Sequence, residues 1–289
     1  MNKAPEDDTD TATTLVTDQC PSCDAVREGL YCSVCGERRI RADDRRLRAL
    51  YSTVSSTILD ADGRLPRSLV ALVFRPGRLT FDWMRGRRRP WLGPVPLYLL
   101  INLLIFLAPP LSDFNLSLRE QTVYQLWSET AARLVEARIA SRNSTFAMEA
   151  KRYGDVSSEV GKLLLIWHVP FLALATALVC RAQRHYAADH LVWSLHQFSV
   201  FLILIFTAAW TVGPLLQSFV PSAVAANVLS FTWRGLLLVF LAHSVLAAHK
   251  AFSPSRWRLV ALVPCLLIAL LLGPASYRLV QFLIAFALS

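Results

Sequence analysis

From Trp91 onward the chain carries apolar runs of the length a bilayer demands, and that spacing constrains the fold class more than any other feature. A helix crossing the hydrocarbon needs about 20 apolar residues, within a range of roughly 17–25. Five runs meet this. They span about Trp91–Ala108 (closed by Pro109-Pro110), Leu163–Cys180, Leu195–Leu216, Leu229–Ala248, and Leu259 to beyond Leu272. Fifteen residues follow Pro274 and include Arg278, too few for a sixth crossing. That tail is expected to lie in the interface or to extend a helix kinked at Gly273-Pro274. The expected fold is mostly α, a polytopic transmembrane helix bundle of about five spans, with a small N-terminal zinc ribbon. Composition agrees: 54% of residues are hydrophobic, where soluble domains hold about 45–50%.

The charged residues set the orientation. The segment before the first run is strongly basic. Residues 111–162 balance seven basic against seven acidic side chains, and Gln217–Asn227 has no charge. Arg181 and Arg184 follow the second run, and Lys250, Arg256 and Arg258 follow the fourth. Basic connections alternate with neutral ones, which by the positive-inside rule predicts a cytosolic N-terminus. The same rule, with attraction to anionic lipid, accounts for the net charge of +9 better than nucleic-acid binding does. Arginine supplies 26 of the 30 basic residues, a bias that fits a GC-rich bacterial genome.

Four units follow from this patterning. Residues 1–19 are polar and acidic, without the apolar core of a secretory leader, and read as a disordered tail. Residues 20–36 form the zinc ribbon, and residues 37–90 form basic amphipathic juxtamembrane helices. Residues 91–289 form the bundle, with an extracytoplasmic helical loop at 111–162. In that loop Tyr124, Trp127, Ala131, Leu134, Val135 and Ile139 make a helical stripe, Glu129 and Arg133 are an i,i+4 pair, and a second helix starts near Phe146.

Cys20, Cys23, Cys32 and Cys35 give the pattern C-x2-C-x8-C-x2-C. Four thiolates at that spacing suit tetrahedral zinc, with each Cys-x-x-Cys turn offering backbone amides to sulfur. Iron sites of this type carry a longer insert, and disulfides require an oxidising compartment. Gly36 supplies a permissive backbone after the second pair, and Asp24 holds the matching place after the first. The ribbon's function is either to dock a partner or simply to hold itself folded.

Residues 38 to 89 contain fourteen arginines. Leu47, Leu50, Tyr51, Val54, Ile58 and Leu59 recur there at helical spacing until Asp60–Gly63. A second short helix carries Leu69–Phe74 and breaks at Arg75-Pro76-Gly77. Arg85, Arg87, Arg88 and Arg89 are placed at the lipid phosphates before the first run.

Ionisable groups inside spans are functional candidates by default. Asp189, His190, His196 and His243 form one layer at the cytosolic ends of the third and fourth runs. Asn102 is the polar group in the first run best placed to bond between helices. The layer reads as a helix cap at Asp189 with interfacial histidines, or as a metal or proton site.

These features occur in an order that resembles an uncharacterised family of bacterial inner-membrane proteins of unknown function. The matching elements are the ribbon ending at Tyr31–Gly36, the segment Leu72–Trp91, and "DHLVWSLH" (Asp189–His196, with Asp for the more usual Glu). Ser255–Trp257 before the last run completes the order. The resemblance implies an integral membrane protein with cytosolic zinc and no established activity. The functional expectation is a non-enzymatic scaffold or sensor whose ribbon docks a protein or the lipid surface. One alternative is a transporter or lipid-handling protein with a path past Asn102, His190, His196 and His243. The other is a metal-dependent enzyme using the histidines.

Overall fold

A computed structural model describes residues 18–27, 29–39, 63–107, 115–180, 185–219 and 222–289. The expected acidic tail up to residue 17, the stripe from Leu47 to Leu59, and Arg181 and Arg184 lie outside the described residues.

The ribbon comes first. Strand β1 (Asp18–Gln19) pairs antiparallel with β2 (Val26–Arg27), Gln19 opposite Val26, and Tyr31 bridges to Arg38. The paired segment thus takes in two residues assigned above to the tail and extends past Gly36.

A helical hairpin follows. Helix α1 (Arg64–Phe74) stops where Pro76 removes a donor and disfavours helical geometry at Arg75. Gly77, at φ 75°, turns the chain into α2 (Arg78–Met84). An added Cβ at Gly77 would sit 2.4 Å from the Ala247 carbonyl oxygen. The turn therefore needs glycine twice, for its backbone angle and for the close approach. Asp82, buried, fixes the hairpin to the next turn. It accepts from Arg78 Nε at 3.0 Å and from Trp91 Nε1 at 2.9 Å. Ser68 Oγ accepts from the Leu92 amide at 2.9 Å.

Helix α3 (Pro94–Leu107) corrects the first expected span. It has 14 residues, a rise of about 21 Å, short of the hydrocarbon thickness of about 30 Å. Trp91 and Leu92 are spent in the turn bound to Asp82 and Ser68. Among the described residues four helical segments, rather than five, are long and apolar enough to cross a membrane: Phe146–Val179, Ala187–Thr211, Asn227–Phe252 and Arg256–Leu288.

Beyond α3, Ser117 and Glu120 close a capping box on α4 (Leu118–Val123). Helix α5 (Ser128–Arg142) buries Ala131 and Val135 and ends at Asn143 in the left-handed region; Glu129 and Arg133 pair on its exposed face. Helix α6 (Phe146–Leu164) starts at the expected residue, with Thr145 as its N-cap. It runs through one 3-10 turn (Leu165–His168) into α7 (Val169–Val179), where Pro170 lies in the first turn. The expected outer helix and second span are thus one near-continuous rod.

Helix α8 (Ala187–Phe219) is the central element, packing on α2, α3, α7 and α9 (Ser222–Phe252). Helix α10 (Arg256–Leu288) continues through Pro264 and Pro274, so the tail extends the last helix rather than lying apart from it.

Two cores result. The larger joins the hairpin, α3 and α7–α10 around Trp193, Tyr98, Phe198 and Leu202. The smaller gathers Leu118, Ala131, Val135, Tyr153, Phe282 and Ala285 from α4–α6 and the end of α10. They are linked along α6 and α10, where Tyr277 Oη donates to the Gly161 carbonyl at 2.9 Å and Gln281 Nε2 donates to that of Ser157 at 3.1 Å.

Candidate metal centre and its seat on the bundle

Each Cys-x-x-Cys forms a knuckle. The Asp24 amide donates to the Cys20 carbonyl at 2.8 Å, and the Gly36 amide donates to that of Cys32 at 2.7 Å. Both turning residues have positive φ, 59° at Asp24 and 70° at Gly36. The sequence equivalence of the two positions is therefore a structural one, and asparagine or aspartate tolerates that region better than most side chains.

The knuckles bring all four sulfurs together. Cys20, Cys23, Cys32 and Cys35 place their Sγ atoms within 4.8 Å of one another. The pairs Cys20–Cys35 and Cys23–Cys32 stand 3.5 and 3.6 Å apart, and no disulfide links them. A tetrahedron of sulfurs at a metal–sulfur distance of about 2.3 Å has edges of about 3.8 Å. The donor set therefore fits one metal ion with every position filled by protein, the arrangement of a structural rather than a catalytic site. The Cys35 amide is the main influence pulling the Cys32 thiol down to about 6, toward the thiolate a metal requires, whereas burial pushes Cys35 up to about 12.

The ribbon does not hang free of the bundle. Glu37, 5% exposed, follows the last knuckle directly. Its Oε2 accepts from Ser22 Oγ at 2.6 Å, the Arg89 amide at 2.8 Å and the Arg88 amide at 3.1 Å. Its own carbonyl accepts from the Cys32 amide at 2.9 Å. One carboxylate thus joins both knuckles to the turn that opens α3. The sequence reading passed over Glu37, although its place next to Cys35-Gly36 was a usable signal.

The arginines expected to face lipid also meet groups of the hairpin and ribbon. Arg85 lies over the Phe81 ring and Arg88 over the Trp83 ring, each 4.1 Å from the centroid. The Arg87 amide donates to the Asp82 carbonyl. The Arg89 guanidinium lies against Gly36, where Nη1 would be 2.3 Å from an added Cβ.

The histidine layer is present but divided among separate helix contacts. Thr80 Oγ1 and His196 Nδ1 share a hydrogen bond of 2.9 Å, joining α2 to α8. His190 Nδ1 bonds Thr176 Oγ1 at 3.2 Å, joining α8 to α7. His243 Nε2 donates to the Leu72 carbonyl at 3.1 Å, and its Nδ1 meets the Gln197 side-chain amide at 3.0 Å. Asp189 accepts from the Tyr186 amide at 3.0 Å, the cap read from the sequence. Among the described residues the four cysteines are the one group of three or more potential ligands brought together. Asn102 Oδ1 is buried and has no hydrogen-bond partner among the described residues. It lies on α3, which packs against α8.

Residues 62–106 are similar to a family described as Protein of unknown function (DUF3667). The stretch takes in the hairpin with its Phe74-Arg75-Pro76-Gly77 block, the arginine turn and most of α3. No curated protein and no solved structure matches the chain.

Proposed function

We propose that the chain is an integral protein of a bacterial inner membrane, N-terminus in the cytosol, acting as a non-enzymatic sensor or scaffold. Zinc held by Cys20, Cys23, Cys32 and Cys35 keeps the ribbon in the shape that fits the arginine turn, and the ribbon's outer side docks a protein partner. The observation that carries this is Glu37. It is fixed by the second knuckle and accepts from two amides of the turn, so loss of the metal frees the carboxylate that holds the turn. The ribbon's other side supports docking: Val26, Tyr31 and Val34 are 61%, 61% and 72% exposed. The orientation rests on the alternation of basic and neutral connections.

Metal analysis of the purified chain, with hydrogen exchange before and after chelation, tests the coupling. One zinc per chain is expected. Its removal is expected to raise exchange at the Arg88 and Arg89 amides while Ala187–Thr211 stays protected. A chain that binds no zinc, or amides indifferent to chelation, would sink the reading. Cross-linking in membranes tests the docking face: Tyr31→Ser with Val34→Ser is expected to lose partners that the intact chain captures, and an unchanged set counts against docking.

A further inference from the structure

Two cavities line helix α1, one at each end. The first, about 620 Å³, is walled by Arg64, Arg67, Arg89 and Pro90 on the bundle side and by Ser22, Cys35 and Gly36 on the ribbon side. Among the described residues no acidic side chain lines it. Glu37, the nearest in sequence, is turned into its bonds with Ser22 and the Arg88 and Arg89 amides. The second is an apolar groove of about 340 Å³. Leu69, Val70, Val73 and Phe74 of α1 form one side of it, and α3 and α8 close it through Leu104 and Phe206 among others.

One helical stripe joins the two. Arg64, Arg67, Val70 and Phe74 are spaced three and four apart and share a face of α1. Arg67, Val70 and Phe74 are exposed, the last two at 55% and 77%. From Arg67 to Phe74 the helix rises about 10 Å. The headgroup layer on each side of a bilayer, about 40–45 Å thick overall around a core of about 30 Å, is thinner than that. Taken along the bilayer normal, that rise carries a ligand from phosphate at the arginines to hydrocarbon at Phe74, and the apolar groove beside Phe74 is the feature that matches an acyl chain there.

We propose that this face of α1 is a binding site for one anionic phospholipid. Its phosphate sits among Arg64, Arg67 and Arg89, and an acyl chain lies in the groove beside Val70 and Phe74. Guanidinium groups suit phosphate oxygens in geometry as well as charge. The site rests on the seated ribbon, because Ser22, Cys35 and Gly36 form one wall, but it needs no partner protein.

Native mass spectrometry of the full-length chain, titrated with phosphatidylglycerol, phosphatidylcholine or inorganic phosphate, tests it. Phosphatidylglycerol is expected to be retained in preference to phosphatidylcholine. Arg67→Gln with Arg89→Gln is expected to weaken that retention about thirtyfold. Arg119→Gln with Arg133→Gln, which removes equal charge elsewhere, should leave retention nearly unchanged. Phe74→Ala, outside the arginine cleft, is expected to lower retention of long-chain but not short-chain phosphatidylglycerol. Equal losses in the two charge variants, or inorganic phosphate displacing the lipid, would overturn the proposal. Zinc content and exchange at the Arg88 and Arg89 amides, read on the same samples, separate a lost lipid site from a lost ribbon seat.

Discussion

Substituting alanine for Gly77 isolates what the Arg75-Pro76-Gly77 turn contributes. Two costs combine there. At φ 75° an L-residue costs about 1–2 kcal/mol. The added methyl would meet the Ala247 carbonyl oxygen at 2.4 Å, with Ala247 Cα and Lys250 Cβ at 2.9 Å. Two of those three atoms are helix backbone and cannot step aside, so overpacking adds about 1–3 kcal/mol. The expected loss is about 2–5 kcal/mol, which would consume a large part of a typical folding free energy.

Three other glycines supply controls. Gly63 has φ 68° and open space around it, so Gly63→Ala carries the backbone cost alone, about 1 kcal/mol after the gain in unfolded-state entropy. Gly161 has an ordinary backbone but would meet Gln281 Nε2 at 2.6 Å and Tyr277 Oη at 3.0 Å, both ends of side chains. Its cost is expected to be smaller, about 0–2 kcal/mol. Gly154 has neither restriction, and alanine there is expected to stabilise by about 0.5–1 kcal/mol. Unfolding of the purified chain in one detergent, followed by intrinsic fluorescence, should rank Gly154→Ala highest and Gly77→Ala lowest. If Gly77→Ala unfolds together with Gly63→Ala, the steric argument fails.

Other substitutions test the remaining contacts. Asp82→Ala strands the Trp91 indole N–H and one face of Arg78, and a loss of about 2–3 kcal/mol is expected in the same unfolding assay. Thr80→Val leaves both ring nitrogens of His196 without a partner, since Nε2 already has none among the described residues. The expected cost is about 1–2 kcal/mol, with His196→Leu milder because it removes the stranded groups together. Glu120 is held below the usual carboxylate range by the Ser117 hydroxyl and amide. A depressed carboxylate stabilises above its unfolded pKa and ceases to as pH falls through its folded one. Protection of the Ser117 amide, corrected for intrinsic exchange, should therefore be constant near neutrality and fall below the glutamate range. Protection that stays flat into that range would remove the capping box as its cause.

The features legible in the sequence were those with a local cause. Cysteine spacing placed the four-sulfur cluster, Pro76-Gly77 placed the hairpin turn, and the stripe before Ser141 with the turn after it placed α5 and the start of α6. What escaped depended on contacts between distant segments. Trp91 and Leu92 look like the beginning of a span until Asp82 and Ser68 claim them, and so a crossing became a 14-residue helix. Asp82 itself read as one acid among arginines, although Arg78 four residues before it was a usable hint. Glu37 gained its role only because Arg88 and Arg89 fold back onto it. The histidines shared a layer in sequence, but their rings point at three different neighbours.

Helix Arg256–Leu288 gives the molecule a mast. Its 33 residues reach about 50 Å against a hydrocarbon core of about 30 Å. Burying all of it would take a tilt of about 53°, beyond the usual range of roughly 0–40°. In a bilayer some of its turns would therefore stand clear of the hydrocarbon, and Tyr277 and Gln281 lash Phe146–Leu164 to it near the far end. A rod of that length turns angle into travel: each degree of tilt displaces its tip by about 0.9 Å. Because Phe146–Leu164 runs almost directly into Val169–Val179, a bilayer of different thickness that re-angles this helix would have to carry that second rod with it, and the second core would travel several ångströms with the pair.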